Sequence, residues 1–196
     1  MNDKELLELL NKYPFLKYRN VFSDELCYKT DEENLKHNYY VYWNGSGWEK
    51  LWKKYLEKLF WVYDNKWTNK EKEAFRFMEI KEKFGQLRIY TSFTDSRFEL
   101  ETKAELLSEW TCQKCGKEPR NEKGQRIIWQ THGWITNFCK ECAEIYLKKY
   151  NENKNIEEEL KEMEVIHDIP FGYTRFGKSG KEAVIFKEVD GWLEKE

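Results

Sequence analysis

The sequence predicts an α+β fold, in which amphipathic helices pack on a small antiparallel sheet. Three observations predict it: apolar residues recur at helical spacing after Trp48, residues alternate around Ile89 as in a β-hairpin, and four cysteines stand in two close pairs. The 196 residues are enough for one full domain with a small appendage. We expect an α+β domain over residues 1–145 and a helix and hairpin extension over residues 146–196.

The composition favours a folded chain with a core of large rings under a charged surface. Aromatic residues make up 17% of the chain and charged residues 36%. The formal net charge of −2 excludes a global basic field. No apolar run approaches the roughly 20 residues that span a bilayer, and the first ten residues lack the apolar stretch of a secretory signal. We therefore expect a cytoplasmic protein without membrane partners.

The first predicted elements are a short helix and a strand. Residues 3–12 carry a helical leucine stripe, and Asn2 or Asp3 is the expected N-cap. Tyr39–Trp43 then resembles a strand that ends in the turn Asn44–Gly47.

The clearest predicted helix follows this turn. Its apolar face comprises Trp48, Leu51, Trp52, Tyr55, Leu59, Phe60 and Tyr63. A basic amphipathic helix for a membrane or a partner is one interpretation. We favour a core helix with a solvated outer face, packed on the next hairpin, because a domain of this size needs such a helix.

A hairpin and a further helix lead into the cysteines. Residues 75–93 alternate as a β-hairpin with its turn at Lys83–Gly85. A helix is expected at about 95–110, capped by Asp95, and it runs directly into Cys112. Its apolar stripe comprises Leu100, Ala104, Leu107 and Trp110.

The two cysteine pairs have the spacing of a metal site. Each pair has the form C-x2-C, and 23 residues separate Cys112 and Cys115 from Cys139 and Cys142. Four thiolates on two tight knuckles match the tetrahedral preference of Zn(II). Disulfides or a redox dithiol are disfavoured, since the chain has five cysteines and no secretory signal. A site with four cysteine ligands is closed, so we expect one structural Zn(II) per chain.

The segment around the cysteines predicts an integral zinc ribbon over about 110–145. A strand is expected at residues 127–130, before GWITNF leads to the second knuckle. Beyond it, AEIYLKKY and IEEELKEM indicate helices broken at Asn151–Asn155, and GYTRF with EAVIF indicates a terminal hairpin.

The remaining chemistry-bearing residues do not predict a catalytic centre. His132 is a surface-turn residue or an alternate ligand or hydrogen-bond donor to the metal site, and we favour the surface turn. His167 beside Asp168 is a weak catalytic pair without a nucleophile motif. Cys27 is interpreted as a small buried apolar residue. We therefore expect a protein that is not an enzyme, with unknown binding residues.

Charge argues against a nucleic-acid surface on the ribbon. Residues 110–142 contain six basic and three acidic side chains, which is +3, and four thiolates with one Zn(II) add −2, leaving about +1. A duplex-binding surface neutralises several phosphates. Residues 143–196 carry nine basic and thirteen acidic side chains, which is −4, and the acidic run Glu157–Glu164 within them favours a basic protein surface over phosphate.

The order of the motifs resembles a family of small, largely uncharacterised proteins of bacteriophages and prophages. The motifs are LLNKYPF, GSGWEKLWKKYLEKL, IKEKFGQLRIY, CQKCG and HGW, and they span roughly residues 5–143. Two features depart from the family pattern: Cys142 stands where many relatives have histidine, and Gln86 where a second glycine is usual. The resemblance implies an accessory factor that acts on a host component in the host cytoplasm. A component of a host defence system is one such target.

The leading hypothesis is therefore a non-catalytic zinc-containing binding protein that modulates a host protein, with counter-defence inhibition as one such role. A nucleic-acid-binding zinc ribbon is the first alternative. A pocket that sequesters a small nucleotide on aromatic rings is the second. A homodimer is also open. The extension over 146–196 is expected either to carry partner specificity or to cover an edge of the sheet.

Overall fold

A computed structural model describes residues 3–17, 19–20, 22–23, 25–27, 30, 32–33, 46–93, 99–150 and 155–167. Several expected features lie outside these residues: the strand Tyr39–Trp43, the caps Asn2 and Asp95, and the terminal hairpin.

The described chain mixes helices with two small antiparallel sheets, which confirms the α+β class. The helices are α1 (Asp3–Lys12), α2 (Glu49–Lys66), α3 (Asn69–Ala74), α4 (Glu99–Glu109), α5 (Lys140–Tyr150) and α6 (Ile156–Met163), with a 3-10 turn at Pro14–Leu16. The strands are β1 (Phe77–Lys83), β2 (Gln86–Thr91), β3 (Arg126–Gln130), β4 (Asn137–Phe138) and β5 (Glu164–His167). No described helix has both the length and the apolar character needed to cross a bilayer.

Helix α2 is the centre of the first apolar cluster, as its stripe predicts. The buried residues of this cluster are Leu10, Tyr13, Phe15, Leu16, Trp48, Leu51, Trp52, Tyr55, Leu56, Leu59, Trp67, Phe75, Phe77, Leu87, Ile89, Ala104 and Leu107. Trp52 and Tyr55 are fully buried, and their rings stack at 5.3 Å between centroids. Phe77 at the start of β1 contacts both rings. Phe60 lies half-buried at the edge of the cluster. The interpretation as a core helix is therefore confirmed.

The hairpin β1–β2 turns at Phe84–Gly85, within the predicted turn. Leu87 and Ile89 of β2 point into the first cluster and are fully buried, because alternate residues of a strand face the same side. Helix α4 packs on β2 and on α2.

Helix α4 also covers the outer edge of β2 with polar side chains, which its apolar stripe did not reveal. Glu105 Oε1 accepts a hydrogen bond from the backbone N–H of Ile89 at 2.8 Å. Ser108 Oγ accepts one from the N–H of Leu87 at 2.8 Å. Strand N–H groups at a sheet edge need partners when buried, and this helix supplies them.

The second sheet has the order β4-β3-β5 and forms the ribbon. The hairpin β3–β4 pairs Trp129 with Phe138, and β3 includes the strand that the sequence predicts at residues 127–130. The third strand, β5, was not predicted, and its residues pair along β3 from Arg126 to Trp129. A second apolar cluster lies beneath, formed by Cys112, Ile127, Trp129, Phe138, Cys139, Ala143, Leu147, Leu160 and Met163.

Residues of the expected extension thus contribute to this ribbon. Leu147, Leu160 and Met163 are buried in its cluster, and helix α5 runs across position 145. The division into 1–145 and 146–196 remains a prediction.

Candidate metal centre

The structure brings together all four cysteines of the predicted site. The Sγ atoms of Cys112, Cys115, Cys139 and Cys142 lie within 4.8 Å of one another. Those of Cys115 and Cys139 are 3.6 Å apart. A tetrahedral ion with metal–sulfur bonds of about 2.3 Å requires sulfur–sulfur distances of about 3.8 Å. The four sulfurs therefore fit a single tetrahedral ion.

The first knuckle is closed by its own backbone. The N–H of Cys112 donates to the carbonyl of Lys117 at 2.8 Å, and the N–H of Gly116 donates to the carbonyl of Cys112 at 2.9 Å. Gly116 has φ of +76°, a conformation that glycine adopts without a Cβ clash. This sharp reversal turns the sulfurs of Cys112 and Cys115 to the same side.

The second knuckle joins β4 to helix α5. Cys139 lies immediately before the helix, and its carbonyl accepts the N–H of Ala143 at 2.9 Å. The N-terminus of a helix carries partial positive charge, which favours a thiolate there. Lys117 Nζ and Glu141 Oε1 form an exposed ion pair at 2.8 Å between the two knuckles.

The thiols of the second knuckle resist ionisation without a cation. Burial raises the pKa of the Cys139 thiol above its ordinary value, and it raises the pKa of Cys142 to about 11. For Cys142, negative charge on Cys112 acts in the same direction. A divalent cation offsets this unfavourable charge, so the donor set suits a metal that prefers thiolates.

The turn at residues 46–48, before α2, packs directly on the first knuckle. The N–H of Gly47 donates to the carbonyl of Gln113 at 2.7 Å. A Cβ on Gly47 would lie 1.9 Å from the carbonyl oxygen of Cys112 and 2.7 Å from the backbone nitrogen of Gly116. Only glycine permits this approach, so Gly47 of the GSGW motif belongs to the metal centre.

Trp48 extends the same connection to the end of α4. Its indole Nε1 donates to the carbonyls of Ser108 at 3.2 Å and Thr111 at 3.3 Å. These carbonyls lie in the last turn of the helix and just beyond it, where backbone acceptors lack helical partners. The N-cap residue of the core helix therefore also fixes the chain entering Cys112.

Asn137 connects the KEKFG hairpin to the second knuckle. Its side chain is fully buried, and Nδ2 donates to the carbonyls of Gly85 at 2.7 Å and Glu109 at 2.9 Å. Its Oδ1 accepts a hydrogen bond from Gln130 Nε2 at 2.9 Å. Its backbone N–H donates to Gln113 Oε1 at 2.6 Å. One side chain thus joins the hairpin turn, the end of α4 and the ribbon.

The other candidate residues lie apart from the sulfur cluster. His132 is exposed in the turn between β3 and β4, and it does not belong to the four-ligand group. His167 lies in β5, where its backbone pairs with that of Arg126 in β3, while Asp168 falls outside the described residues. The interpretation of Cys27 as buried is wrong, because Cys27 is exposed in a surface segment with Leu26.

Sequence reasoning did not identify Gly47 and Asn137 as supports of the cysteines. The GSGW letters suggested only a turn, because a short distance to Cys112 across 65 positions has no local signal. In the sequence alone, Asn137 resembles an ordinary residue at the edge of a strand. The structure places its side chain against the carbonyls of Gly85 and Glu109.

Comparison with protein-family models, with curated proteins and with solved structures finds no match to this chain. The resemblance to a phage family therefore stays a prediction.

Proposed function

We propose that the four cysteines bind one structural Zn(II), and that the protein is a non-catalytic binding protein whose partner is another protein. Four thiolates supply a complete tetrahedral shell, which leaves no position for water or substrate. Gly47, Trp48 and Asn137 tie the core helix and the hairpin to the two knuckles. The ion would therefore hold the two apolar clusters in register.

The proposed partner site is a surface formed by two adjacent turns, which we call the two-turn surface. It comprises the Phe84–Gly85 turn of the first hairpin and the 131–136 turn of the ribbon. The turns touch, since a Cβ on Gly85 would lie 2.9 Å from Ile135 Cγ2. Phe84 is 63% exposed and Trp134 is 81% exposed. Exposed rings of this kind are typical anchors of protein interfaces.

The backbone conformation of the exposed residue Phe84 is the observation that carries the proposal. Its φ is +56°, in the left-handed region that bulky residues rarely adopt. This conformation costs about 1 kcal/mol relative to glycine, and the exposed ring recovers little of that by burial. An unfavourable conformation that presents a large apolar side chain to solvent is typical of functional sites.

The surroundings favour a protein over a nucleic acid. Some positive charge is present at the two-turn surface, since Lys83 lies over the Phe84 ring at 5.4 Å from its centroid, and His132 is exposed in the second turn. The total charge is nevertheless small. The ribbon with its ion carries about +1, counted over residues 110–142. A nucleic-acid surface of several phosphate contacts needs more positive charge than this.

The biological setting of the proposal comes from the motifs. Their resemblance to phage proteins supports a host protein as the partner and the host cytoplasm as the compartment. Inhibition of a defence component is one role that such binding would serve.

Two variants test the surface against a matched control. Trp134→Ser and Phe84→Asn each remove one exposed ring, and asparagine tolerates positive φ. Trp61→Ser removes a tryptophan that is 55% exposed on α2, an element that contributes no residue to either turn. Each zinc-loaded protein is immobilised and exposed to host lysate at 150 and 500 mM salt.

We expect the wild type and Trp61→Ser to retain the same host protein at both salt concentrations, and both two-turn variants to lose it. Capture of the same set by all four proteins contradicts the surface. Retention only of nuclease-sensitive material, lost at 500 mM salt, contradicts the protein partner and supports nucleic-acid binding.

A further inference from the structure

A cavity of about 400 Å³ lies between the N-terminal segment and the helices of the first cluster, far along the chain from the cysteines. It is lined from one side by residues that follow α1 and from the other by α2, α3 and the entry to β1. Its volume falls in the usual range for small-ligand sites, roughly 300–1,000 Å³.

Basic side chains converge on this cavity. Lys17, Arg19, Lys72 and Arg76 line it together with one carboxylate, Glu73. The formal charge of these lining side chains is four positive and one negative, which is +3, and the ion pair of Lys72 with Asp64 at 3.7 Å reduces the local charge to +2. The whole chain is −2, so this concentration runs against the average. Positive charge focused in a concave site attracts a small anion.

Two of the cations are held in place by the fold. Arg76 Nη1 donates to the carbonyl of Phe75 at 2.6 Å and also to that of Glu73. The backbone N–H of Arg76 donates to Ser92 Oγ at 2.9 Å. Lys72 Nζ lies 5.2 Å from the centroid of the Tyr63 ring. Positioning before binding reduces the entropy lost on binding.

The cavity also has an aromatic lining. Phe15, Phe75 and Phe77 are buried at its inner side, and Tyr63 stands half-buried beside them. The rings of Phe15 and Tyr63 are 5.3 Å apart between centroids. Aromatic surface next to clustered cations suits a ligand that has a planar ring and a charged phosphate group.

We propose that this cavity binds a small phosphorylated ligand with an aromatic ring, of the nucleotide class. The cations contact the phosphates, and the half-buried Tyr63 ring together with the exposed edges of the phenylalanine rings contacts the base. This site is separate from the two-turn surface and from the cysteines, since none of their residues lines it. Whether this cavity binds a ligand is therefore independent of whether the two-turn surface binds a protein.

Calorimetry with three probes tests both halves of the site on the full zinc-loaded chain: ADP, adenosine and inorganic pyrophosphate. We expect ADP to bind at least tenfold more tightly than either adenosine or pyrophosphate. The double variant Lys17→Glu with Arg19→Glu should weaken ADP binding at least tenfold. The matched control is Lys148→Glu with Lys149→Glu, which makes the same change in net charge at exposed positions of α5.

The control should bind ADP within twofold of the wild type. Absence of ADP binding at millimolar concentration overturns the proposal, and so does equal weakening in both double variants. Pyrophosphate that binds as tightly as ADP overturns the nucleotide class. Circular dichroism of each variant confirms that the fold is kept before affinities are compared.

Discussion

The α carbon of Gly47 faces the carbonyl oxygen of Cys112 so closely that a Cβ would lie 1.9 Å from it. Cys112 is a member of the metal cluster, and Gly47 begins the turn that leads into the core helix α2. This one contact joins the metal centre to the first apolar cluster. Folding of the metal centre and folding of the first apolar cluster should therefore be coupled through the contact between Gly47 and Cys112.

Gly47→Ala should destabilise the protein by about 3 kcal/mol, because the methyl group forces two backbone segments apart. The variant should also release its metal faster to a chelator. Gly124→Ala is the control, since no atom lies within 4 Å of its Cβ position and only its φ of +76° is unfavourable. That control should lose about 1 kcal/mol in urea unfolding. Equal losses would show that the Gly47 contact has no special role.

Asn137→Ala should cost about 3 kcal/mol in the same assay. The substitution leaves the buried carbonyls of Gly85 and Glu109 without this donor. Gln130→Ala removes only the hydrogen bond to Asn137 Oδ1 and should cost about 1 kcal/mol. If the two variants unfold at the same urea concentration, Asn137 does not connect the hairpin to the ribbon.

Glu101 should make stability fall as pH rises from about 4.5 through 7. Burial raises the pKa of this carboxyl to about 7, against 4.5 for an exposed glutamate. The folded state therefore holds the proton more tightly than the unfolded state. The resulting stabilisation is complete below about pH 4.5 and is lost as pH rises through 7.

The variant Glu101→Gln isolates this effect, because it keeps an acceptor for the Tyr55 hydroxyl, which donates to Glu101 Oε1 at 2.9 Å. Between pH 6 and pH 8, the wild type should lose about 1 kcal/mol relative to Glu101→Gln. Exposed Glu57→Gln serves as the control, and because it keeps Glu101 it should follow the wild-type pH profile. Parallel pH profiles for the wild type and Glu101→Gln would contradict the raised pKa.

Phe84→Asn should leave the fold intact and raise its stability by about 0.5 kcal/mol. Asparagine adopts the left-handed conformation at less cost than phenylalanine, and little buried area is lost. The expected combination is a higher midpoint in urea together with loss of partner binding. A clear decrease in stability would show that the Phe84 ring supports the fold.

The sequence predicted the elements whose signal is local. The α2 stripe around Trp52, the alternation at Leu87 and Ile89, and the C-x2-C knuckles each repeat at the period of their own structure. Their residues consequently lie where the patterns placed them, and the four cysteines meet.

Contacts between distant segments were not predictable in the same way. Strand β5 is short and has no distinctive pattern, and its pairing with β3 depends on tertiary packing. Glu105 resembles a solvated helix residue until its hydrogen bond to Ile89 is seen. The basic cavity is divided between residues near Lys17 and residues near Arg76, so neither segment alone has an unusual charge.

Zinc K-edge X-ray absorption of the purified protein tests the central claim most directly. The expected spectrum has one Zn(II) per chain with four sulfur neighbours at about 2.3 Å. The variant Cys112→Ser should hold less zinc, and its ribbon should be less stable. A shell that includes a nitrogen neighbour, or a protein that holds no zinc and links these cysteines as disulfides, would contradict a closed zinc centre with four cysteine ligands.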